Sequence, residues 1–335
     1  MKKNKMILAI AMIFMYLLSA CNQEEVAQTP TVKSKKVSIG VKTNEVNTRA
    51  IPVSPNHSLR CILEVWTTDG RLVHRNEQIR SRSSSNQTFI FDFEVDKGNY
   101  SCLLWADLIA LNRDGDIEMT TPNSYTHYED ASYKTDSVNH GLKTVSILKR
   151  QTQPLNLNNL SEMYAAFSAT MPLVKEDNIV NMGSITLRRA VAELTVAEKI
   201  SATTTSINNA EKMVATYSIP RIFNVLSQEV SGEYKAQIEG TPRKYMNSTL
   251  YPDMNVAFFD YILASSSGFT LGELQLTFES SKMGTTIRKI PAGIPLRQNY
   301  QTMISVENLI FGGIGNTVKI STKIEENFNS DLNEP

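Results

Sequence analysis

The chain has 335 residues, 41% of them hydrophobic, with 34 basic and 34 acidic side chains. This size and hydrophobic content are enough for two ordinary domains, each with a packed core. The even charge balance lacks the concentrated basic patch of a nucleic-acid-binding protein, so nucleic acid is not an expected partner.

The first 21 residues predict export and lipid attachment. A start with three lysines leads into the apolar run 6–18, and small residues up to Ala20 then precede Cys21. This is the layout of a secretory signal with its cleavage site, and the apolar run is too short to span a bilayer comfortably. A cysteine in that place resembles a bacterial lipobox, whose thiol is acylated, for example with palmitate. We therefore predict a signal peptide over 1–20 and a lipidated Cys21. The alternative is an ordinary secretory signal with a chance cysteine.

Residues 21–35 are polar and predict a lipidated tether. Cleavage after Ala20 removes three lysines and leaves 31 basic against 34 acidic residues, a net charge of −3. The pair Glu24 and Glu25 resembles the short acidic signal that sends some Bacteroidales lipoproteins to the outer face of the outer membrane, although a plain solvated tether has the same composition. We expect a lipid-anchored outer-membrane protein at the cell surface or in a fimbrium.

Strand patterns dominate residues 36–180, the predicted N-terminal β-sandwich domain. Val37, Ile39 and Val41 alternate with polar or small residues, a period of two that indicates a half-buried strand. Further strands are expected at 59–66, 72–73, 88–95 and 100–108. The stretch 109–181 is poorly patterned apart from a short strand at 164–167.

Strand patterns continue through residues 181–335, the predicted C-terminal β-sandwich domain. The alternation changes phase near 188–190, which predicts a β-bulge, and a short helix is expected at 207–215. Many short strands with little helix favour β-sandwiches. The expected strands are 185–196, 217–225, 234–238, 256–265, 273–278, 285–290, 300–310 and 318–324.

Motifs for catalysis or metal binding are missing from the sequence. The four histidines lack a two-histidine metal spacing, and there is no nucleophile elbow, phosphate-binding loop or paired-cysteine zinc motif. Asp114, Asp116 and Glu118 could offer oxygen ligands to calcium, but without the full loop pattern a plain acidic turn is favoured. We expect no enzyme, no metal and no cofactor, although a β-sandwich hydrolase could bring carboxylates together from distant segments.

Two pairs of residues leave alternatives open. An oxidising compartment would permit a disulfide between Cys61 and Cys102. Two buried free thiols are favoured, because a domain of this size does not need a crosslink. Trp66 and Trp105 could stack on sugar rings in a surface glycan-binding lipoprotein of a polysaccharide uptake system, but their place inside hydrophobic strands favours core packing.

Several phrases carry a family resemblance over roughly residues 58 to 310. They are LRCILEV at 59–65, GNY at 98–100 running to LWAD at 104–107, ITLRRAVA at 185–192, FDYIL at 259–263 and PLRQNYQT at 295–302. In order and spacing they resemble the Bacteroidales fimbrillin-like lipoproteins, relatives of the FimA-type fimbrial subunits and anchors. The chain departs from the pattern at Ala190, where a proline is expected, and over 306–310. The resemblance implies an all-β chain of two tandem transthyretin-like Greek-key β-sandwich domains, with a fimbrial or adhesive role rather than catalysis.

The resemblance also implies assembly by strand exchange. In FimA-like precursors a trypsin-like protease removes the lipidated N-terminus after an arginine, and a neighbour's strand fills the groove that the first strand leaves. Here the matching cut would separate Arg49 from Ala50. The exposed sheet edge would then invite strand addition from another fimbrial subunit or another copy of the chain.

The expected donor strand is near the C-terminus, where Val318, Ile320 and Thr322 share a face. Two alternatives remain at this stage. Arg49 could be an ordinary loop arginine, with both end strands kept in their own sheets. Anchor-type relatives keep their lipid and need no cut.

Overall fold

The computed structural model describes residues 35–43, 57–81, 88–111, 128–130, 132–135, 140–148, 164–199, 210–240, 254–281, 284–306, 309 and 320–325. These residues are almost entirely β-strand, apart from a 3-10 turn at Gly141–Thr144. Within them, no helix has the length and apolar character needed to cross a membrane. The predicted all-β class is confirmed.

The strands are numbered here in chain order. Those of the first half are β1 (Lys36–Thr43), β2 (His57–Thr67), β3 (Leu72–Ser81), β4 (Thr88–Glu94), β5 (Gly98–Leu111), β6 (Tyr128–Asp130), β7 (Tyr133–Lys134), β8 (Val145–Ile147), β9 (Ala166–Lys175) and β10 (Val180–Arg189). Those of the second half are β11 (Val191–Lys199), β12 (Lys212–Ile219), β13 (Ile222–Asn224), β14 (Glu229–Ser231), β15 (Tyr234–Gly240), β16 (Met254–Leu263), β17 (Phe269–Leu271), β18 (Leu274–Ser280), β19 (Gly284–Ile290), β20 (Ile294–Leu296), β21 (Gln301–Val306) and β22 (Ile320–Glu325).

The described strands form several sheets. The largest runs β3-β2-β5-β9-β10-β1-β4, with β6 beside β5. The others run β16-β11-β21-β22, β15-β12-β18-β19, β14-β13-β8-β7 and β17-β20. This arrangement is consistent with β-sandwich domains, while the Greek-key connections and the division into 36–180 and 181–335 stay predictions. β8 pairs with β13, so one small sheet contains strands from both halves of the chain.

Period-two alternation explains the strands. In β4, Phe89, Phe91 and Phe93 are buried, while Ile90 between them is 56% exposed. Successive side chains of a strand point to opposite faces, so every second residue joins the hydrophobic core. The buried apolar residues of both halves belong to one contiguous core cluster.

Two local predictions from sequence are wrong. The helix expected at 207–215 is a strand from Lys212 onward, because alternate residues such as Met213 and Ala215 are buried in β12. This period outweighs the helix propensity of the segment. The phase change near 188–190 is not a bulge within one strand. The chain leaves β10 and enters β11 of another sheet at Ala190, whose N–H donates to the Ala166 carbonyl at 2.7 Å.

The strand β9 is longer than the sequence pattern predicts. β9 covers ten residues in the poorly patterned stretch, where only a short strand at 164–167 is expected. It pairs with β5 along its whole length, from Gly98 opposite Lys175 to Asp107 opposite Ala166. A strand beside a long central neighbour gains stability from pairing that its own alternation does not reveal.

Candidate assembly site around the first strand

β1 lies inside a sheet, with a neighbour on each side. It pairs antiparallel with β4, where Ile39 lies opposite Phe91. It pairs parallel with β10, where Val41 lies opposite Ile185. We call the space that β1 occupies between β4 and β10 the β1 slot.

The apolar face of β1 is buried completely. Val37, Ile39 and Val41 are 1%, 0% and 0% exposed, and their partners on β4 are the buried phenylalanines of that strand. Burying an aliphatic side chain of this size stabilises a fold by about 1.5–3 kcal/mol. The sequence prediction of an amphipathic first strand is therefore confirmed, and its burial makes it a major part of the core.

Both neighbours depend on β1 for strand pairing. Among the described strands, β4 forms its ladder with β1 alone. β10 pairs with β9 only at Arg188 and Arg189, so the rest of β10 has β1 as its ladder partner in this part of the chain. Losing β1 would therefore leave two rows of backbone N–H and C=O groups without partners, at the bottom of an apolar groove.

The β1 slot is narrow at Gly40. The pairing with β10 shifts register between Ser38 and Gly40. A Cβ at Gly40 would lie 3.0 Å from Ser184 Oγ and 3.2 Å from the Gly183 carbonyl oxygen. Glycine in a strand interior often marks such a close backbone approach. The lone glycine in an alternating strand was the signal in the sequence, although the sequence alone does not reveal its neighbour.

A surface ion pair lies at the start of β1. Lys35 Nζ lies 2.6 Å from Asp96 Oδ1, with both side chains more than half exposed. The hydrogen bond to Asp96 raises the pKa of Lys35, and the same bond lowers the pKa of Asp96. Exposed pairs contribute little to stability and weaken with salt. The buried apolar face, rather than this pair, keeps β1 in place.

The C-terminal candidate has a different environment. Among the described strands, β22 lies at the edge of its sheet and pairs with β21 alone, with Thr322 opposite Ile304. It contains Ile320 and Thr322 of the predicted donor strand, whereas Val318 lies outside the described residues. Cys21, Arg49, Ala50 and residues 114–118 also lie outside them, so lipidation, processing and the plain acidic turn stay predictions.

The two tryptophans are packed in the core, as the sequence favours. Trp66 is 3% exposed, and its Nε1 donates to Glu64 Oε2 at 2.8 Å. Trp105 is fully buried and packs edge-on against Tyr133 with ring centroids 5.4 Å apart. A sugar ring needs an open aromatic face for stacking, so these two residues do not form a glycan platform.

The two strand cysteines are buried free thiols. Cys61 lies opposite Ala106, whereas Cys102 lies opposite Val65, four residues further along the β2–β5 ladder. That offset is about 13 Å at strand spacing, beyond the Cα separation of about 7 Å that a disulfide allows. Burial raises the pKa of Cys102 to about 12, so its thiol stays protonated and unreactive.

Buried charged groups are paired in ways that serve structure. Arg60 and Asp107 form a two-point ion pair at 2.9 and 2.8 Å with both side chains buried. Glu64 accepts hydrogen bonds from Trp66, from Arg75 and from the backbone N–H of Leu142. In the part of the chain that the structure covers, no three His, Cys, Asp or Glu residues are grouped to hold a metal ion.

The family model described as a family of unknown function, DUF6562, matches residues 23–334. The chain belongs to this family. The match includes both β1 and β22, so the first and last described strands are parts of the family's common region. None of the curated proteins matches the sequence.

Solved structures that resemble this DUF6562 member are distant from it. The tip fimbrial protein Mfa3 from Porphyromonas gingivalis shares 12% identity, with 86% of this chain and 99% of that chain covered and a TM-score of 0.47. The fimbrial anchor protein Mfa2 from the same organism shares 12% identity and has a TM-score of 0.45. The alignment covers 88% of this chain and 98% of that chain. A Bacteroides thetaiotaomicron structure, provisionally described as polysaccharide binding, shares 12% identity and has a TM-score of 0.44. The alignment covers 82% of this chain and 93% of that chain.

Proposed function

We propose that this chain is a lipid-anchored, fimbrillin-like structural or adhesion protein of the cell surface that assembles by β-strand exchange. The observation that supports this function is the position of β1. It is the shared ladder partner of β4 and of most of β10, and it precedes Arg49 in the chain. A cut after Arg49 would break the covalent link between β1 and the other strands of its sheet.

The energetics favour replacement of β1 over simple loss. An empty slot would expose the buried phenylalanines of β4 and leave backbone groups unpaired on both sides. Water can satisfy those backbone groups, but the apolar surface favours any strand that covers it again. Strand addition supplies both the main-chain hydrogen bonds and the apolar side chains.

β22 is suited to be the donor. An edge strand gives up one ladder when it leaves its sheet, whereas an interior strand gives up two. Moving β22 of one copy into the slot of another would exchange one ladder for two. Other fimbrial subunits with a similar terminal strand could donate it to the slot in the same way.

Lipidation supplies the attachment to the outer membrane. Acylated Cys21 precedes β1, so an uncut chain would stay anchored, whereas a cut chain would lose both its lipid and its first strand. One sequence could thus serve as an anchor before processing and as a subunit afterwards. Trp66 and Trp105, the two residues considered for the glycan-binding alternative, are buried and do not support it.

Processing and assembly can be tested on the purified chain without its signal peptide. Mild treatment with a trypsin-like protease is expected to produce a chain that begins at Ala50 and forms multimers resistant to SDS. Mass spectrometry identifies the new N-terminus, and an unheated gel shows the multimers. The matched control Arg49→Ala should remain uncut and monomeric. A chain that is cut at Arg49, loses β1 and stays monomeric would rule out assembly by strand exchange.

Lipidation is tested separately by metabolic labelling with a palmitate analogue. The wild-type chain is expected to take up label and to fractionate with the outer membrane, whereas Cys21→Ala should do neither. Cys61→Ala is the matched control and should still be labelled, because that thiol is buried. Equal labelling of wild type and Cys21→Ala would contradict the anchor.

A further inference from the structure

β5 is buried on both faces, although a strand of a two-layer sandwich needs a cover on one face only. Every residue from 102 to 109 is at most 3% exposed. Because successive side chains point to opposite faces, a further layer covers the face that carries Trp105. That layer includes Tyr133 and Phe223, whose ring centroids lie 5.4 and 5.9 Å from that of Trp105. Phe223 belongs to the second half of the chain, so the second half supplies part of the core of the first.

Main-chain hydrogen bonds join this cover to the first half. We call residues 221–228 the junction turn; it contains β13, which pairs with β8 of the first half. At one end of this pairing the Ile147 N–H donates to the Arg221 carbonyl at 2.9 Å. At the other end the Val225 N–H donates to the Leu142 carbonyl at 3.1 Å. From Arg221 to Val225 the junction turn is therefore bonded to the first half, much as a strand is bonded to its own sheet.

A buried carboxylate links the same turn to β2. The Leu142 N–H donates to Glu64 Oε2 at 2.9 Å, and Glu64 is 0% exposed. Leu142 therefore bonds Glu64 through its N–H and Val225 through its carbonyl. The neighbouring Gly141 has a φ of 48°, and a Cβ there would overlap the Glu64 carboxylate. Glycine alone suits such a close approach, so the link from β2 to the junction turn depends on residue 141.

The far end of the junction turn makes a second polar contact between the halves. Ser168 of β9 donates from Oγ to Gln228 Oε1 at 3.0 Å, and Gln298 Nε2 of the second half donates to the same oxygen at 2.9 Å. Gln228 has a φ of 58°, a left-handed conformation that is uncommon for a residue other than glycine. Such a conformation persists only where the surrounding contacts determine it. Ser168 and Gln298 belong to different halves, so this glutamine is fixed between them.

We infer that the junction turn couples the two halves, so that they unfold as one unit and a pulling force on one half is transmitted to the other. Tandem domains with small polar interfaces move relative to one another by default. Here the interface contains a buried aromatic side chain, Phe223, and a strand pair, which make the stability of the first half depend on the second. This inference goes beyond the proposed function and does not require β1 to leave. In a chain assembled by strand exchange, a force between the β1 slot and β22 would pass from one half to the other across this junction.

The test measures the two halves separately in the uncut chain without its signal peptide. Both tryptophans lie in the first half, so tryptophan fluorescence in urea reports its unfolding. Pulsed hydrogen exchange with mass spectrometry, at the same urea concentrations, reports the β11 and β18 segments of the second half. Wild type is expected to give one midpoint with both probes. Phe278→Leu, in the second-half strand β18 where the side chain is 1% exposed, should lower both midpoints equally, by about 0.5 M.

Phe223→Ala removes part of the cover of Trp105 and is expected to separate the two probes. The fluorescence midpoint should fall below the exchange midpoint, because the first half loses its cover while the second-half sheets keep their own cores. Adding Phe278→Leu to Phe223→Ala should then lower the exchange midpoint alone. Phe223→Leu is the matched control, since it keeps an apolar side chain at the same position, and it should retain a single midpoint.

Each outcome decides one part of the inference. If Phe278→Leu lowers the exchange midpoint and leaves the fluorescence midpoint unchanged, the halves unfold independently and the inference is wrong. This result does not depend on whether Phe223→Ala folds. If Phe223→Ala folds and keeps one midpoint, the coupling does not come from the junction turn. A failure to form multimers after cleavage at Arg49 would overturn the proposed function without changing either midpoint, so the two failures are distinguishable.

Discussion

The first and last described strands differ in how the sheets hold them. β1 lies between two neighbours, and its apolar side chains are almost completely buried. Within the part of the chain that the structure describes, β22 lies at a sheet edge with one neighbour, as β19 does in another sheet. Removing a strand that is paired on both sides breaks two ladders of hydrogen bonds and exposes apolar side chains. Removing an edge strand breaks one ladder and therefore costs less free energy. In the proposed function, the slot of the first strand therefore has the role of acceptor and the last described strand the role of donor.

The largest expected effect comes from placing a charge in β1. Ile39→Asp buries a carboxylate without a partner, and we expect it to lower the free energy of unfolding by about 4 kcal/mol or more. Ile287→Asp is the matched control on the edge strand β19, where the side chain is 54% exposed. It should change stability by no more than about 0.5 kcal/mol. Urea denaturation measures both, and equal losses would show that the interior and edge strands are held alike.

A smaller effect is expected from crowding the narrow point of the β1 slot. Gly40→Val should cost about 1–3 kcal/mol, because its side chain meets Ser184 and the Gly183 carbonyl. Gly272→Val is the control, since a Cβ there has no atom within 4 Å. Adding Ser184→Ala to Gly40→Val should recover part of the loss in a double-mutant cycle. Equal costs at Gly40 and Gly272 would mean that the slot has no narrow point.

The smallest expected effect is a pH dependence on the β4 side of the slot. His74 of β3 stacks on Phe93 of β4 with ring centroids 5.0 Å apart, and burial lowers its pKa from 6.5. The folded state thus favours neutral histidine. The stability that follows from this is present above pH 6.5 and is lost as the pH falls through the lower folded-state pKa.

A histidine-dependent loss of stability in acid can arise only from the first half of the chain, because no histidine follows residue 140. Melting temperatures at about pH 7.5 and about pH 5.5, on either side of the ordinary histidine pKa, should show a smaller acid shift for His74→Gln than for wild type. His140→Gln, at an exposed position, is the control and should behave like wild type. An unchanged acid shift in His74→Gln would show that another group is responsible.

Most strands were predictable because their side chains alternate. The three phenylalanines of β4 and the apolar face of β1 are patterns that period two reveals directly. β9 was not predictable, because its partner strand determines it more than its own residues do. The change of sheet at Ala190 left a phase shift in the sequence, but a bulge produces the same signal.

The candidate site was predictable only in its parts. The sequence indicates an amphipathic first strand, an arginine after it and a β-branched strand near the end. It does not indicate that β1 is the shared partner of β4 and β10, since strands paired in a sheet can be far apart in the chain. It also does not reveal that Gly40 faces Ser184, because that contact joins residues more than 140 positions apart.

Residue order and type by themselves determined the all-β class and the buried faces of the main strands, and they carry the prediction of a signal peptide over residues 1–20. These properties follow from local spacing, which a single segment carries alone. Only the tertiary structure decided that the first strand lies inside a sheet and the last at an edge. Backbone hydrogen bonding between strands is the same for every sequence, so the choice of neighbours depends on how the whole core packs.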